Sequence, residues 1–290
     1  MKKTIPLYDI CTIDRSVHQD LLVEGLGTYL EKHYANLHKP HRHSFYHLVL
    51  FTKGKGTHTI DFSQFKVKPY QIYFMAPGQV HSWHFEGNME GYIVHFNAEL
   101  FSTFLQRPDH IQQFQFFNGN SENGVYNLPV DLHAKANSLL ESVLKEMENS
   151  QRNLDMIRVL LLELFIHIDR RCVNEKTKSI PQQKLLMLNQ FRQLIEKHYR
   201  LLRLPKEYAE LMYITPNYLN ALCQDVAGKS AGDLIRDRII LEAKRFLTNA
   251  DLDISEISYE LNFQDNSYFT RFFKKSTGIT PEVFRKKMIQ

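Results

Sequence analysis

The sequence has few cysteines and no long apolar run, and each of these shortages excludes a class of protein. Its three cysteines, Cys11, Cys172 and Cys223, lie far apart, which excludes a disulfide framework and a paired-cysteine metal site and favours reduced thiols. No stretch reaches the ~18–20 apolar residues of a membrane span, because a glutamate and a histidine interrupt the longest one, residues 159–168. The N-terminus also lacks the apolar core of a signal peptide. We therefore expect a cytoplasmic protein that has no membrane partner.

Charge and histidine are distributed unevenly along the chain, whose 290 residues suit two domains. Residues 181–290 contain 17 Lys and Arg against 13 Asp and Glu, so they carry the whole net charge of +4. Of the 14 histidines, 13 precede residue 181. A basic C-terminal part suits a polyanion such as DNA. The neutral, histidine-rich part before it indicates a different chemistry.

Short strands separated by glycine and proline turns are predicted in the first third of the chain. Many short strands of this kind favour a small antiparallel barrel or sandwich. We assign this fold to a domain of residues 1–130, with turns at residues 53–56 and 77–78. The predicted strands are 45–51, 57–62, 65–67, 71–75, 81–85 and 91–96.

The apolar period becomes helical from Asp131 onwards, with one helix after this residue and a second over residues 154–171. The second helix is apolar on several sides, so it must be buried on several sides. Two interpretations remain open: packing against the barrel, or a dimer seam. We assign residues 131–180 to a helical dimerisation and linker segment, in which the polar stretch 173–181 is the linker itself.

Residues 181–290 are predicted to form an all-helical domain. Thr215 precedes Pro216, as an N-cap precedes a proline at the first helical position, and Gly228 and Gly278 stand where helices should end. The predicted helices are 183–199, 206–212, 216–227, 231–249, 254–261, 267–277 and 281–287.

An internal repeat with an offset of 50 residues runs through this helical domain. It pairs Leu211 with Leu261 and Tyr218 with Tyr268, and each copy is a short helix, a tight turn and a second helix. This is the pattern of a helix-turn-helix, whose second helix enters the major groove of DNA. The segment 231–247 would span roughly 25 Å as a helix, against about 34 Å for one turn of B-DNA. The repeat therefore favours reading of two successive major grooves over a purely structural helical module.

Residues 254–285, ISEISYELNFQDNSYFTRFFKKSTGITPEVFR, resemble the second helix-turn-helix of the AraC/XylS family of bacterial transcription regulators. The first copy is similar to the first unit of that family. The resemblance implies an α+β multidomain protein with a cupin-like β-barrel before the all-α DNA-binding domain. It also implies a homodimeric, sequence-specific regulator, here taken as an activator, that responds to a small-molecule effector.

The residues expected to contact DNA follow from this assignment. Arg271 can pair bidentately with guanine and Asn266 can hydrogen-bond a base edge, whereas lysines further along hold phosphates. The expected contacts are Asn217, Asn220 and Gln224 in the first unit, and Asn266, Ser267, Tyr268, Arg271, Lys274 and Lys275 in the second.

The histidines of the N-terminal part resemble a cupin pattern. In metal-binding cupins the ligands are an H-x-H pair, a later Glu and a further His; His41, His43 and His81 match three of these, whereas His47 stands where Glu is usual. We expect a small-molecule pocket, suited to a carbohydrate among other metabolites, with no metal and no cofactor. A metal centre and a barrel without ligand are the alternatives. The expected pocket residues are His41, His43, Tyr46, His81 and Trp83.

Two other functions compete with a regulator. A metal-dependent cupin dioxygenase or isomerase would need the carboxylate ligand and an acid–base pair, and neither is evident in the sequence. A structural interaction protein would leave the basic C-terminal end unexplained. We therefore expect a protein that is not an enzyme.

Overall fold

The computed structural model describes residues 5–13, 20–105, 111, 114–172, 180–248 and 252–289. The chain divides into two compact units. The N-terminal unit is Pro6–Asn174, and the C-terminal unit includes Glu175–Gln290. Most of the predicted linker, residues 173–179, lies outside the described residues. Among the described residues, the helices are all too short or too polar to cross a bilayer.

The N-terminal unit is built on one sheet flanked by helices. Two short 3-10 turns, Gln115–Phe117 and Ser121–Asn123, precede its last strand. The strands are β1 (Leu7–Tyr8), β2 (Leu21–Gly25), β3 (His41–His43), β4 (Tyr46–Ile60), β5 (Ser63–Val67), β6 (Gln71–Met75), β7 (Val80–Phe96) and β8 (Val125–Asn127). The helices are α1 (Ile10–Ile13), α2 (Leu26–Leu37), α3 (Glu99–Leu105), α4 (Val130–Glu148) and α5 (Leu154–Cys172).

Two long antiparallel strands form the centre of the sheet. β4 pairs with β7 from Tyr46 opposite Phe96 to Ile60 opposite His81. The strand order is β1-β3-β7-β4-β6-β8, with β2 also paired to β7 and β5 to β4. The predicted cupin-like sheet is therefore present, but this order has two ends, so the strands do not close into a barrel within the described residues.

The glycine-rich segment at residues 53–56 was predicted as a turn, and the structure corrects this. The segment lies inside β4, where the register with β7 shifts between Phe51 and Lys53 and again between Lys53 and Lys55. Gly54 and Gly56 have φ angles of 123° and 139°, which L-residues rarely adopt. Glycine here marks β-bulges within a continuous strand rather than a strand end.

The two faces of the sheet bury different partners because successive side chains alternate. On β4, Leu48 and Leu50 face a core shared with α4 and α5. Val49 and Phe51 face the other core, which includes Leu26 and other residues of α2. Helices α4 and α5 therefore pack on the sheet, in agreement with one of the two interpretations of this segment.

The C-terminal unit is helical throughout its described residues. Its elements agree with the prediction to within two residues at either end. They are α6 (Gln182–His198), α7 (Pro205–Leu211), α8 (Pro216–Ala227), α9 (Ala231–Leu247), α10 (Ile254–Glu260), α11 (Asn266–Thr277) and α12 (Pro281–Ile289).

Local capping explains why these boundaries were predictable. The hydroxyl of Thr215 accepts a hydrogen bond from the Tyr218 amide at 3.2 Å, at the start of α8. Gly228 and Gly278 end α8 and α11 in the left-handed conformation, with φ angles of 66° and 81°. These caps depend on a few neighbouring residues, so the sequence determines them without tertiary context.

Helix α9 lies at the centre of the C-terminal unit. Its residues Ile235, Ile239 and Ala243 are almost fully buried in a core that reaches from α6 to α12. Arg238, on the same helix, donates hydrogen bonds to Glu196 of α6 at 2.7 Å and to Glu242 at 2.9 Å. The helix therefore joins the elements before it to those that follow it.

Candidate functional site

Two helix-turn-helix units are present in the C-terminal unit, α7 with α8 and α10 with α11. Their turns share one conformation, because Tyr213 and Asn262 both have a φ of 56°. In both turns, a backbone N–H donates a hydrogen bond to the carbonyl oxygen five residues earlier. The N–H of Ile214 donates to Ala209, and that of Phe263 donates to Ser258. The repeat predicted from the sequence is thus present in three dimensions.

The offset of the repeat is 49 residues in the first helices and turns and 50 in the second helices. Met212 and Leu261, which are both buried C-cap residues, are therefore equivalent, and the predicted pairing of Leu211 with Leu261 is wrong. Gln264 is the additional residue in the second turn. A single inserted residue in a turn shifts the register without altering either helix, so a constant offset could not detect it.

Helix α11 presents a polar and basic face to solvent. Phe269 and Phe273 are fully buried in the core. The exposed side chains on the helix include Ser267, Tyr268, Arg271, Lys274 and Lys275, all of which were predicted to contact DNA. The apolar residues thus fix the helix on the unit, and the predicted contact residues lie together on its accessible side.

Asn266 does not lie with this exposed set, although it was predicted to contact a base. Its side chain is half-buried, and its Nδ2 donates to the hydroxyl of Ser255 in α10 at 3.2 Å. The amide therefore holds the start of α11 against α10. A polar residue at the start of a helix is as typical of a contact between helices as of a contact with DNA, so the sequence pattern could not distinguish the two.

Helix α8 presents a neutral face. Asn217 and Gln224, which were predicted to contact DNA, are exposed. Asn220 is also exposed, but its Oδ1 accepts the Ala231 amide at 2.9 Å, which caps the start of α9. Tyr218, the counterpart of Tyr268, is exposed at the equivalent position and was not predicted as a contact. The repeat could have predicted this candidate contact, because it pairs Tyr218 with Tyr268.

Arg203 connects the two helix-turn-helix units. It lies just before α7, and its Nη2 donates to the carbonyl oxygens of Leu261 and Asn262 at 2.5 and 2.9 Å. Its guanidinium also stacks 3.7 Å from the ring centroid of Phe263. These contacts cap the C-terminal end of α10 and bind the turn of the second unit to the segment that precedes the first.

A histidine cluster lies inside the N-terminal unit. His41 and His43 are on one side of β3, and His81 is directly opposite His41 on β7. The ring centroid of His41 lies 4.1 Å from that of His81 and 4.8 Å from that of His43. One ring nitrogen of each residue lies within 4.8 Å of the other two, a spacing that could hold a metal ion.

Three further histidines surround these and complete the cluster: His47, His58 and His95. His58 Nε2 lies 3.0 Å from His81 Nδ1, and His47 Nδ1 lies 3.0 Å from His95 Nε2. All six imidazoles are buried. His58 and His95 were not predicted, because their approach to the other histidines depends on the pairing of β4 with β7. This pairing places His47 opposite His95, and the sequence pattern does not give it.

The structure brings Trp83 to the histidines but not Tyr46. Trp83 is buried with its ring 5.4 Å from that of His81. Tyr46 points to the opposite face of the sheet, where it stacks on Phe96 at 5.2 Å in the core shared with α4 and α5. Tyr46 and His47 are successive residues of β4, so their side chains point to opposite faces of the sheet.

Burial keeps the six imidazoles neutral. Desolvation lowers the pKa of His41 from 6.5 to about 4, although its bond to the Lys39 carbonyl oxygen favours the charged form. Desolvation and the neighbouring His41 lower the pKa of His47 to about 3. The same causes move the pKa of four others well below 6.5: His43, His58, His81 and His95. A neutral imidazole has a lone pair that is available to a ligand.

Two family profiles match this chain. One, described as a helix-turn-helix domain, matches residues 208–287, which include both helix-turn-helix turns and both second helices. The other, described as an AraC-like ligand binding domain, matches residues 25–166, which include the histidine cluster and helix α4.

Individual proteins are also similar. The uncharacterised HTH-type transcriptional regulator YijO of Escherichia coli (strain K12) is 25% identical over 150 residues, which are 52% of this chain and only 52% of that regulator. The HTH-type transcriptional activator RhaR of Yersinia pestis bv. Antiqua (strain Angola) is 22% identical over 261 residues, 86% of this chain and 85% of RhaR. Unsaturated fatty acid-bound ToxT from Vibrio cholerae strain SCE256 aligns at a TM-score of 0.42 and 10% identity over 92% of this chain and 95% of its own.

The neutral histidines lead to a test of stability against pH. Between about pH 6.5 and pH 4 an unfolded chain protonates His41, whereas the folded protein does not, so acid favours unfolding. Each histidine that stays neutral contributes at most about 1.4 kcal/mol per pH unit in this window. We expect the urea midpoint to fall as the pH is lowered from about 7.5 to about 5. Fluorescence of Trp83, the only tryptophan, measures it.

Two variants control this measurement. His84→Gln removes an exposed imidazole from the same strand as His81 and should leave the pH dependence unchanged. His47→Leu removes a buried one and should reduce it. A midpoint that is constant over this pH range in the unaltered protein would contradict the burial of neutral imidazoles.

Proposed function

The chain belongs to the AraC/XylS family of transcription regulators, and on this basis we propose that it binds promoter DNA through both helix-turn-helix units and responds to an effector held by the N-terminal unit. The observation that carries the proposal is that two such units, each with an exposed polar second helix, pack on the single helix α9. We further propose that it activates transcription, as RhaR is named to do.

A fixed spacing between the second helices supports contact with two successive major grooves. The 17 residues of α9 span roughly 25 Å, close to the ~34 Å repeat of one DNA face. The contacts of Arg203 with the second turn and the burial of Ile239 in α9 oppose a change in this spacing. Two helices held in this way lose less conformational entropy on binding DNA than two helices that move independently.

The two second helices have unequal tasks in this proposal. In α11, Arg271 reads a guanine edge and Lys274 and Lys275 hold phosphates. In α8, Asn217 and Gln224 make neutral polar contacts, and Asp225 is paired with Lys184 at 2.8 Å. The second unit therefore supplies most of the electrostatic affinity, and the first adjusts sequence preference.

Binding to chromosomal DNA requires a cytoplasmic location in a bacterium. Free Cys11 and Cys223 are compatible with that compartment.

A homodimer is proposed through α5. Met156, Val159 and Ile166 are about half exposed although they are apolar, and their spacing places them on one stripe of this helix. Glu163 lies on the same side of the helix between Val159 and Ile166, and Lys135 of α4 neutralises it in an ion pair of 2.5 Å. An exposed apolar stripe whose one carboxylate is paired suits a self-complementary contact with a second copy, and two copies bind DNA more tightly than one.

The DNA contacts are tested on a duplex enriched from random sequence by repeated selection with the protein. Arg271→Ala should weaken binding to this duplex about 10- to 100-fold and reduce its preference over random DNA, because a bidentate contact to guanine is lost. Lys274→Ala should instead weaken both DNAs alike and lower the salt slope by about one. Fluorescence anisotropy at several salt concentrations gives both quantities.

Lys145→Ala is the matched control, since it removes one exposed cation from α4 of the N-terminal unit. Its affinity should equal that of the unaltered protein. The proposal fails if no duplex is enriched, or if Arg271→Ala and Lys145→Ala bind the enriched duplex equally well.

The dimer is tested by sedimentation. The unaltered protein should sediment at twice the chain mass, and the double variant Val159→Glu, Ile166→Glu should sediment as a monomer because two carboxylates cannot be desolvated in an apolar contact. Val130→Glu, at an exposed position at the start of α4, should remain dimeric. An unchanged mass for the double variant would place the interface elsewhere.

A further inference from the structure

The histidine cluster contains buried nitrogens that lack a hydrogen-bond partner among the described residues. They include Nε2 of His41, both ring nitrogens of His43 and Nε2 of His81. A buried polar atom without a partner costs about 1–3 kcal/mol, and native proteins rarely leave several such atoms together. Their convergence therefore indicates that another species binds between these three rings.

We propose that His41, His43 and His81 bind one divalent transition-metal ion of the zinc class, and that this ion is the effector sensed by the regulator. The role of the ion as effector rests on the function proposed above, whereas the binding of the ion depends only on the geometry of the N-terminal unit.

The spacing of the nitrogens favours an ion over an organic molecule. One ring nitrogen from each of the three histidines lies within 4.8 Å of the other two. A tetrahedral centre with bonds of ~2.1 Å holds its ligands about 3.4 Å apart, so small rotations of the rings complete the site. Donors this close together leave room for one atom, whereas a sugar ring would need them further apart.

The sheet and its neighbours preorganise this site. His41 and His43 share one side of β3, and His41 faces His81 across the β3–β7 ladder. His41 Nδ1 lies 2.8 Å from the Lys39 carbonyl oxygen, which can only accept, so Nδ1 carries the proton and Nε2 has the free lone pair. In the tautomer in which His81 Nδ1 donates its proton to His58 Nε2, at 3.0 Å, the Nε2 lone pair of His81 is free for a metal ion. Bound histidines in metal sites are typically oriented in this way.

The donor set determines which metals fit. The group of ligand atoms that converge here consists of three histidines without a carboxylate, so the hard cations Mg²⁺ and Ca²⁺ lack the oxygen ligands that they prefer. Neutral imidazoles suit Zn²⁺, Ni²⁺, Co²⁺ and Cu²⁺. Three protein ligands leave a further coordination position for water or a small anion.

The binding test uses Co²⁺ and Zn²⁺ on the full-length, chelator-treated protein. We expect one Co²⁺ per chain, seen as visible d–d absorption, and its displacement by Zn²⁺. His41→Ala and His81→Ala should each weaken binding more than about 100-fold, and His58→Ala, which loses a positioning residue, about 10- to 100-fold. His84→Ala, exposed on the same strand, should bind as the unaltered protein does.

A second variant separates loss of a ligand from loss of the fold. His81→Cys supplies a thiolate, so it should keep one Co²⁺ and gain a near-ultraviolet charge-transfer band. The site is overturned if the unaltered protein binds no stoichiometric Co²⁺ or Zn²⁺, or if His41→Ala and His81→Ala bind as tightly as it does.

The role of the ion as effector is tested by anisotropy with the enriched duplex, with and without saturating Zn²⁺. We expect a change in affinity of about 5- to 150-fold in either direction, which is typical of coupled sites, and no change in His81→Ala. Equal affinities with and without Zn²⁺ in a protein that binds the ion would overturn its role as effector. Failure to bind any duplex would instead contradict the proposed function and leave the metal site intact.

Discussion

The burial of α9 between the two helix-turn-helix units is the constraint on which the DNA-binding proposal depends. Ile235, Ile239 and Ala243 form the centre of one core that includes residues from every helix of the C-terminal unit. Exchanging any of these residues for a polar one would remove packing from both helix-turn-helix units at once. Because α9 is a single helix of this shared core, it links the positions of the two second helices.

The two units of the chain use burial for opposite purposes. In the C-terminal unit, buried apolar residues leave a basic face exposed to water. On α11, Phe269 and Phe273 are buried in the core and Arg271 is exposed. In the N-terminal unit, the polar groups themselves are buried, and His43 is stacked on Phe45 at 4.4 Å. Neutral imidazoles among aromatic rings are stable only if their nitrogens find partners, and the proposed metal ion would supply one.

The helices of the C-terminal unit could be predicted from the sequence because their signals are local. Thr215 and Pro216 mark a start and Gly228 an end within a few residues of the backbone they cap. The contacts made by Asn220 and Asn266 could not be predicted, since they depend on which neighbouring helix lies within reach. In the sheet, the bulges at Gly54 and Gly56 resemble turns in sequence and become recognisable only through the pairing of β4 with β7. That pairing also brings His58 and His95 to the other histidines.

Hydroxyl-radical footprinting of the enriched duplex tests most directly whether both helix-turn-helix units act together. Each bound chain should protect two patches on the same DNA face, centred about 10–10.5 bp apart, if α9 holds the second helices in successive major grooves as proposed. The patch under α11 should be the stronger, since Arg271, Lys274 and Lys275 lie there. A single protected patch per chain, or two patches whose separation varies between binding sites, would contradict a rigid pair of reading helices.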